Sequence, residues 1–203
     1  RVWYRVKTGD AVHGVHVFRT PALAKDEGRQ RFVAYSDMQL DEANPLKHQE
    51  MVEQGIVPWS TNHAQSDLEN ALDFILIPGD LVSTGGNHTH WTRDFFGQGE
   101  TLFHSVPFYA TPGNHEQNHP LYFRYVDVPD NGTPGCEEHW YWTDQGNCRV
   151  IGLDTNDGYR TEDQLTWLDG VLNSAAKAEH IDFVFAQFHH PHRSDSWTPG
   201  ETP

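Results

Sequence analysis

Five short apolar runs, each followed within four residues by Asp, Asn or His, constrain this chain more than any other feature. They lie at 31–36, 73–77, 106–110, 149–153 and 182–188. The runs are rich in aliphatic and aromatic residues and show little alternation, which predicts strands buried on both faces. Helices are expected between them, at 44–55, 64–72, 90–104 and 162–176. The last is the clearest. Thr161 and Gln164 form a Thr-x-x-Gln capping box, and Leu165, Leu168 and Leu172 recur at helical spacing beside Trp167 and Val171. A hairpin about Gln145-Gly146 joins 141–144 to 149–153. Alternating strands and helices predict a layered α/β domain.

The first 20 residues read differently. Two short strands, 2–6 and 15–18, flank Thr8-Gly9-Asp10, Pro21 closes the pair, and a charged linker occupies 25–29. A lone hairpin is marginal in water, so this one packs on the α/β part of the chain or ends a β domain. The chain starts at Arg1 rather than Met and shows no signal peptide, so a piece of a longer protein is expected. No apolar run approaches the roughly 18 residues of a membrane span. With 29 acidic and 14 basic residues the net charge is −15, which disfavours duplex nucleic acid and anionic membranes as partners. A small phosphorylated substrate remains open if a metal ion reverses the local sign.

The chemistry gathers at the strand ends. The runs finish in Asp37-Met38-Gln39, Pro78-Gly79-Asp80, Pro112-Gly113-Asn114-His115-Glu116, Asp154-Thr155-Asn156 and His189-His190-Pro191. Open α/β sheets bind ligands outside the carboxyl ends of their strands, so five such ends build one polar site. Carboxylates, amide oxygens and imidazoles together suit Zn, Mn or Fe. The 14 His point the same way. Asp37 and Gln39, two apart on a strand end, can share a face. Gly79 and Gly113 permit close backbone approach or a positive φ. Each signal alone is weak, because a Gly-Asp is usually a turn and a strand-end Asp usually a cap.

In this order Asp37-x-Gln39, Gly79-Asp80, Gly113-Asn114-His115-Glu116 and His189-His190-Pro191 resemble the motifs of calcineurin-like metallophosphoesterases, and Gln164–Leu168 looks like a helix common among them. The hairpin with Arg19-Thr20-Pro21, and the Trp91…Phe96…Pro107…Gly113-Asn114 stretch, are similar to purple acid phosphatases. The resemblance implies a layered α/β sandwich of mixed β-sheets flanked by helices over 29–203, preceded at 1–21 by the last hairpin of a fibronectin-III-like β-sandwich. It implies two transition-metal ions (Fe, Mn or Zn) bridged by Asp80, one taking Asp37 and Gln39, the other Asn114 and His189. His115 would stabilise developing charge and protonate the leaving oxygen of a phosphomonoester attacked by a metal-activated hydroxide.

The sequence departs from the family in three places. Gln39 stands where the family often has His. Ser83 stands where purple acid phosphatases carry Tyr, so no tyrosinate–iron colour is expected. The downstream Gly-His-x-His motif is absent, which reads as truncation of the catalytic domain. Phosphodiesters of nucleotide or phospholipid type are the alternative substrates, and a family member kept as a binding scaffold without turnover is the alternative class. His88, His90 and His190 are candidate substrate contacts, against a solvated loop for the first two and a packed neighbour for the third. Cys136 and Cys148 pair only if a loop folds back. Asn87-His88-Thr89 and Asn131-Gly132-Thr133 match glycosylation acceptors, so an extracytoplasmic location is the expectation.

Overall fold

The computed structural model describes residues 1–23 and 28–191; residues 25–27 of the expected linker, and His192, fall outside them. The hairpin is longer than its two apolar patches, with β1 (Val2–Thr8) antiparallel to β2 (Ala11–Phe18). It touches the rest of the protein through Tyr4, whose hydroxyl donates to the His104 carbonyl at 2.9 Å, and through Arg1, paired with Glu69 at 3.0 Å.

Two three-stranded sheets make up the α/β part. The first is wholly parallel, β3 (Phe32–Ala34), β4 (Phe74–Pro78) and β5 (Phe108–Thr111), with β4 in the centre. The second pairs β6 (Tyr141–Gln145) antiparallel with β7 (Cys148–Gly152), and β7 parallel with β8 (Phe183–Gln187). Side chains alternate across β4 and explain why its run is continuously apolar. Ile75 and Ile77 enter the core shared with Trp91, Phe95 and Leu102. Phe74 and Leu76 enter a second cluster with Val150, against which Phe32 and Phe185 pack. Polar ties also cross between the sheets: Tyr141 donates to the Ala110 carbonyl and Gln187 to the Tyr109 carbonyl.

Burial on both faces holds for β4 and β7 and in part for β5, but not for β3, which is half-buried to exposed, nor for β8, where Phe183 and Val184 are exposed. β8 lies at the edge of its sheet, so its outer flank lacks a covering element among the described residues. The expected helices at 44–55 and 64–72 are one run plus a turn: α1 (Lys47–Glu50), a π-helical turn (Met51–Ile56), α2 (Val57–Ala64), then α3 (Leu68–Ala71). Pro58 offers no N–H, and the widened turn precedes it. The stretch expected at 90–104 divides into α4 (His88–His90), a π turn (Trp91–Phe96) and α5 (Glu100–Phe103), interrupted about Gly97 and Gly99. A short α6 (Pro120–Tyr125) comes after β5. In α7 (Glu162–Lys177) the buried face is Gln164, Val171 and Ala175, while Leu165 and Leu172 face out, a rotation of about one residue from the leucine stripe. Thr161 caps Gln164 N–H as expected. The Gln164 side chain instead turns inward and pins the 154–159 loop through Asp154 N–H and the carbonyls of Asp154 and Tyr159.

The cysteines are free thiols. Cys148 begins β7, whereas Cys136 sits near Asp154 beyond the strand's far end. Both ends of the Asn131 amide bond the Trp142 backbone, and the Asn87 oxygen caps α4.

Arg149 is the one buried arginine among the described residues. It forks onto both Asp144 oxygens at 2.7 and 2.9 Å, donates to Ser174, and lies 4.0 Å over the Trp142 ring. Lys cannot reproduce that planar fork. Arg149→Ala removes the fork from partly exposed Asp144, which keeps only His180 at 3.4 Å, and should cost about 1–3 kcal/mol. Urea unfolding checks this, and Arg149→Lys should recover only part of the loss.

Candidate metal centre

The carboxyl ends of β3, β4, β5 and β8 meet at one edge, and each contributes a side chain. The first two loops are tied by their backbones: Met38 N–H donates to the Asp80 carbonyl at 2.9 Å, and Asp37 N–H to the Gly79 carbonyl at 3.4 Å. Both aspartates sit in the left-handed region, Asp37 at φ 62° and Asp80 at φ 56°. Such backbone costs about 1–3 kcal/mol per residue and persists only where surroundings over-determine it. Asp37 is therefore not on an extended strand end; a left-handed turn past β3 turns it toward the cluster. Asn114 and His115 likewise occupy a single 3-10 turn (Asn114–Glu116), not extended chain.

Asp37, Asp80 and His189 bring one donor atom each to within 4.8 Å of one another. The Asn114 oxygen lies 3.1 Å from His189 Nε2, and Gln39 Nε2 donates to Asp80 Oδ2 at 2.5 Å. His189 Nδ1 meets the Pro78 carbonyl at 2.9 Å. A carbonyl only accepts, so Nδ1 carries the hydrogen and Nε2 points its lone pair at Asn114 Oδ1 and at Asp80 Oδ2, 3.3 Å away. Lone pairs facing lone pairs are stable only around a cation. Either a proton on Nε2 or a metal ion fills that role. Burial lowers the His189 pKa, but the Asp80 hydrogen bond and charge outweigh it and raise the group to about 9. Burial likewise raises Asp80, yet the His189 hydrogen bond and His115 amide hold it below the usual carboxylate range. The mixed oxygen and imidazole donors fit a transition metal.

The glycines are needed for close approach. A Cβ on Gly113 would stand 2.2 Å from Asp80 Oδ1, and one on Gly79, at φ 87°, would stand 2.8 Å from the His189 ring.

His115 stands beside this cluster. Its N–H donates to Asp80 Oδ1 at 2.9 Å and its Nδ1 to the Ser83 carbonyl at 2.9 Å. That leaves Nε2 facing Asp80 Oδ2 at 3.9 Å with the side chain 41% exposed. The other candidate histidines make contacts of their own, and the His190 ring packs edge-on against His189 at 4.9 Å. The His190 ring is buried and its Nδ1 lies 3.0 Å from Thr155 Oγ1. His88 abuts Tyr125 edge-on, and His90 bonds the Asn87 amide.

Two residues central to the geometry carry no sequence signal beyond their place in a motif. Glu116 is fully buried, and its carboxylate accepts from Asp80 and Gly113 N–H at 2.9 and 2.7 Å on one oxygen and from Leu81 and Val82 N–H at 2.9 and 3.4 Å on the other. Burial raises its pKa to about 7 against the pull of those amides. Ser83 donates its hydroxyl to buried Asp94 and accepts from Leu40 N–H, so the carbonyl that orients His115 is itself fixed.

Paired sheets bringing carboxylate, amide and imidazole donors to one edge define an α/β protein with a group of side chains able to hold a metal ion. The calcineurin-like phosphoesterase family model matches residues 30–203, and the chain belongs to that family. A solved purple acid phosphatase, PPD1 from yellow lupin (Lupinus luteus) seeds, is similar in fold, with TM-score 0.60 and 17% identity over 88% of this chain. The match spans 33% of the lupin chain, so the present chain is about a third of its length. A protein of unknown function from Aquifex aeolicus overlays at TM-score 0.36 and 15% identity over 82% of both chains, too loosely to bear on fold or site. No curated protein sequence matches this one.

Two substitutions probe the centre. Glu116→Gln turns one acceptor oxygen into a donor, so part of the buried N–H set loses its partner at about 1–3 kcal/mol each, read as a lowered urea midpoint. Gly113→Ala pushes Asp80 aside and should weaken metal binding about 10–100-fold, read by titration with Zn or Mn.

Proposed function

We propose that this protein hydrolyses phosphoesters, with phosphomonoesters as the preferred class, using two transition-metal ions. The observation carrying this reading is the convergence of Asp37, Asp80 and His189 donor atoms within 4.8 Å of one another, with the Asn114 oxygen 3.1 Å from His189 Nε2 and His115 Nε2 beside them. Family membership supports the same reading. In that reading Asp80 would hold both ions; Asp37 would serve one together with Gln39, whose amide would turn its oxygen inward from the present Asp80 hydrogen bond, and Asn114 and His189 would hold the other. When bound, such ions supply Lewis acidity and a water of lowered pKa. They also cancel carboxylate charge that would repel a phosphate in a chain of net charge −15.

The protein's own groups position and transfer the proton. The Ser83 carbonyl holds His115 Nδ1–H, so the ring cannot turn its Nε2 away from the cluster. Protonated at Nε2, His115 stabilises charge on the phosphoryl oxygens and hands its proton to the leaving oxygen. The same reading takes 1–21 as the end of a preceding β domain and 29–203 as the catalytic domain; exposed Trp3 and Val15 on the hairpin support an apolar neighbour there.

A chelator should abolish hydrolysis and added metal should restore it. His115→Ala should retain metal and slow an alkyl phosphate about 10²–10⁴-fold while slowing 4-nitrophenyl phosphate much less, because a good leaving group needs little protonation. Equal slowing of both esters would refute the proton-donor role, and loss of metal would make His115 a ligand.

A further inference from the structure

The π turn (Trp91–Phe96) places a charged side chain deep in the protein, and widened turns of this kind recur at functional sites. Its Asp94 carboxylate is fully buried, yet among the described residues its only partners are neighbouring Arg93 and one residue of the loop after β4, Ser83. Asp94 Oδ2 accepts from the Ser83 N–H at 2.9 Å and from the Ser83 hydroxyl at 2.8 Å. Arg93 meets both carboxylate oxygens, Nε on Oδ1 and Nη2 on Oδ2. Burial raises the Asp94 pKa, but the Arg93 and Ser83 hydrogen bonds outweigh it and hold the group below the usual carboxylate range. A carboxylate only accepts, so both Ser83 hydrogens point at Asp94.

Ser83 and Gly85 in turn hold His115. The Ser83 carbonyl meets His115 Nδ1 at 2.9 Å and also accepts the Thr84 hydroxyl at 2.7 Å, while the Gly85 N–H donates to the His115 carbonyl at 2.8 Å. The π turn grips this three-residue strip at both ends, Asp94 at Ser83 and Trp91 at Gly85, whose carbonyl accepts from the indole Nε1 at 2.9 Å. A Cβ on Gly85 would stand 2.1 Å from the Glu116 carbonyl oxygen, so the strip lies directly against the turn that carries His115. The two grips differ in what they control. Gly85 fixes the His115 backbone, whereas the Ser83 carbonyl makes the one hydrogen bond to its ring among the described residues.

We infer that Asp94 is a positioning residue for His115: by holding both Ser83 donors it keeps the Ser83 carbonyl aimed at Nδ1, which leaves Nε2 turned to the metal cluster and to the leaving oxygen. This rests on the phosphoesterase reading. Without the Asp94 carboxylate the Ser83 backbone is free to rotate, and the His115 ring can turn or exchange its Nδ1 proton for one on Nε2. The donor atoms of Asp37, Asp80 and His189 stay in place, because none of these side chains bonds Asp94 or Ser83. The loss therefore falls on proton transfer and spares the metal.

The test compares methyl phosphate with 4-nitrophenyl phosphate on the metal-loaded protein. Asp94→Ala should slow methyl phosphate about 10–100-fold more than 4-nitrophenyl phosphate, the size of a lost supporting contact, with Zn affinity unchanged on titration. A merely structural role would lower the active fraction and slow both esters alike. Because Asp94 acts through His115, the double variant Asp94→Ala/His115→Ala should discriminate between the esters no more than His115→Ala alone. Equal slowing by Asp94→Ala, weakened Zn binding, or further discrimination in the double variant overturns the positioning role while the phosphoesterase reading stands. If Asp94→Ala does not fold, Ser83→Ala removes the hydroxyl arm of the same grip and should shift the ratio about 3–10-fold, an unmoved ratio being the refutation. Should no ester turn over, the phosphoesterase reading fails instead, and ring-nitrogen NMR decides the positioning: His115 protonated at Nδ1 in the unchanged protein and mixed between Nδ1 and Nε2 in Asp94→Ala upholds it, and the same tautomer in both refutes it.

Discussion

The Glu116 carboxylate is the interaction on which the centre depends. A fully buried carboxylate is costly unless each oxygen is satisfied, and here backbone N–H groups from two loops satisfy both. The benefit is geometric. Asp80 and Gly113 N–H bond the same oxygen, which fixes the loop after β4 against the loop after β5. The Asp80 side chain then accepts from His115 N–H, so the bridging candidate and the proton-donor candidate share one frame.

That frame also explains how two aspartates can stay in left-handed backbone. The Asp37 and Asp80 turns are held by the Met38-to-Asp80 hydrogen bond and by Glu116, and the gap at Gly113 gives Asp80 room. Strain stored at a site in this way places side chains where an extended strand end would not put them. The result is several acceptors converging with few donors, an arrangement whose natural occupant is a cation.

The two-sheet sandwich supplies the rigidity behind this. β4 is buried on both faces, with alternate residues committed to separate clusters, so a shift along its axis would disturb both at once. His189 arrives from the other sheet, and its Nδ1 bond to the Pro78 carbonyl carries the inter-sheet register directly into the metal centre.

Sequence alone determined the strand count of the α/β part, the α/β alternation, and the residues at the carboxyl edge, because apolar runs and their terminal Asp, Asn and His are local patterns. It also marked Gly79 and Gly113 as places of close approach. Only the tertiary structure decided the left-handed turns at Asp37 and Asp80, the inward Gln164, the buried face of α7, the exposed flank of β8, and the roles of Glu116 and Ser83. The reason is separation along the chain. Glu116 meets Asp80 across 36 residues and His189 meets Pro78 across 111, and no periodicity or spacing encodes which distant backbone group a side chain will find once the sheets have closed.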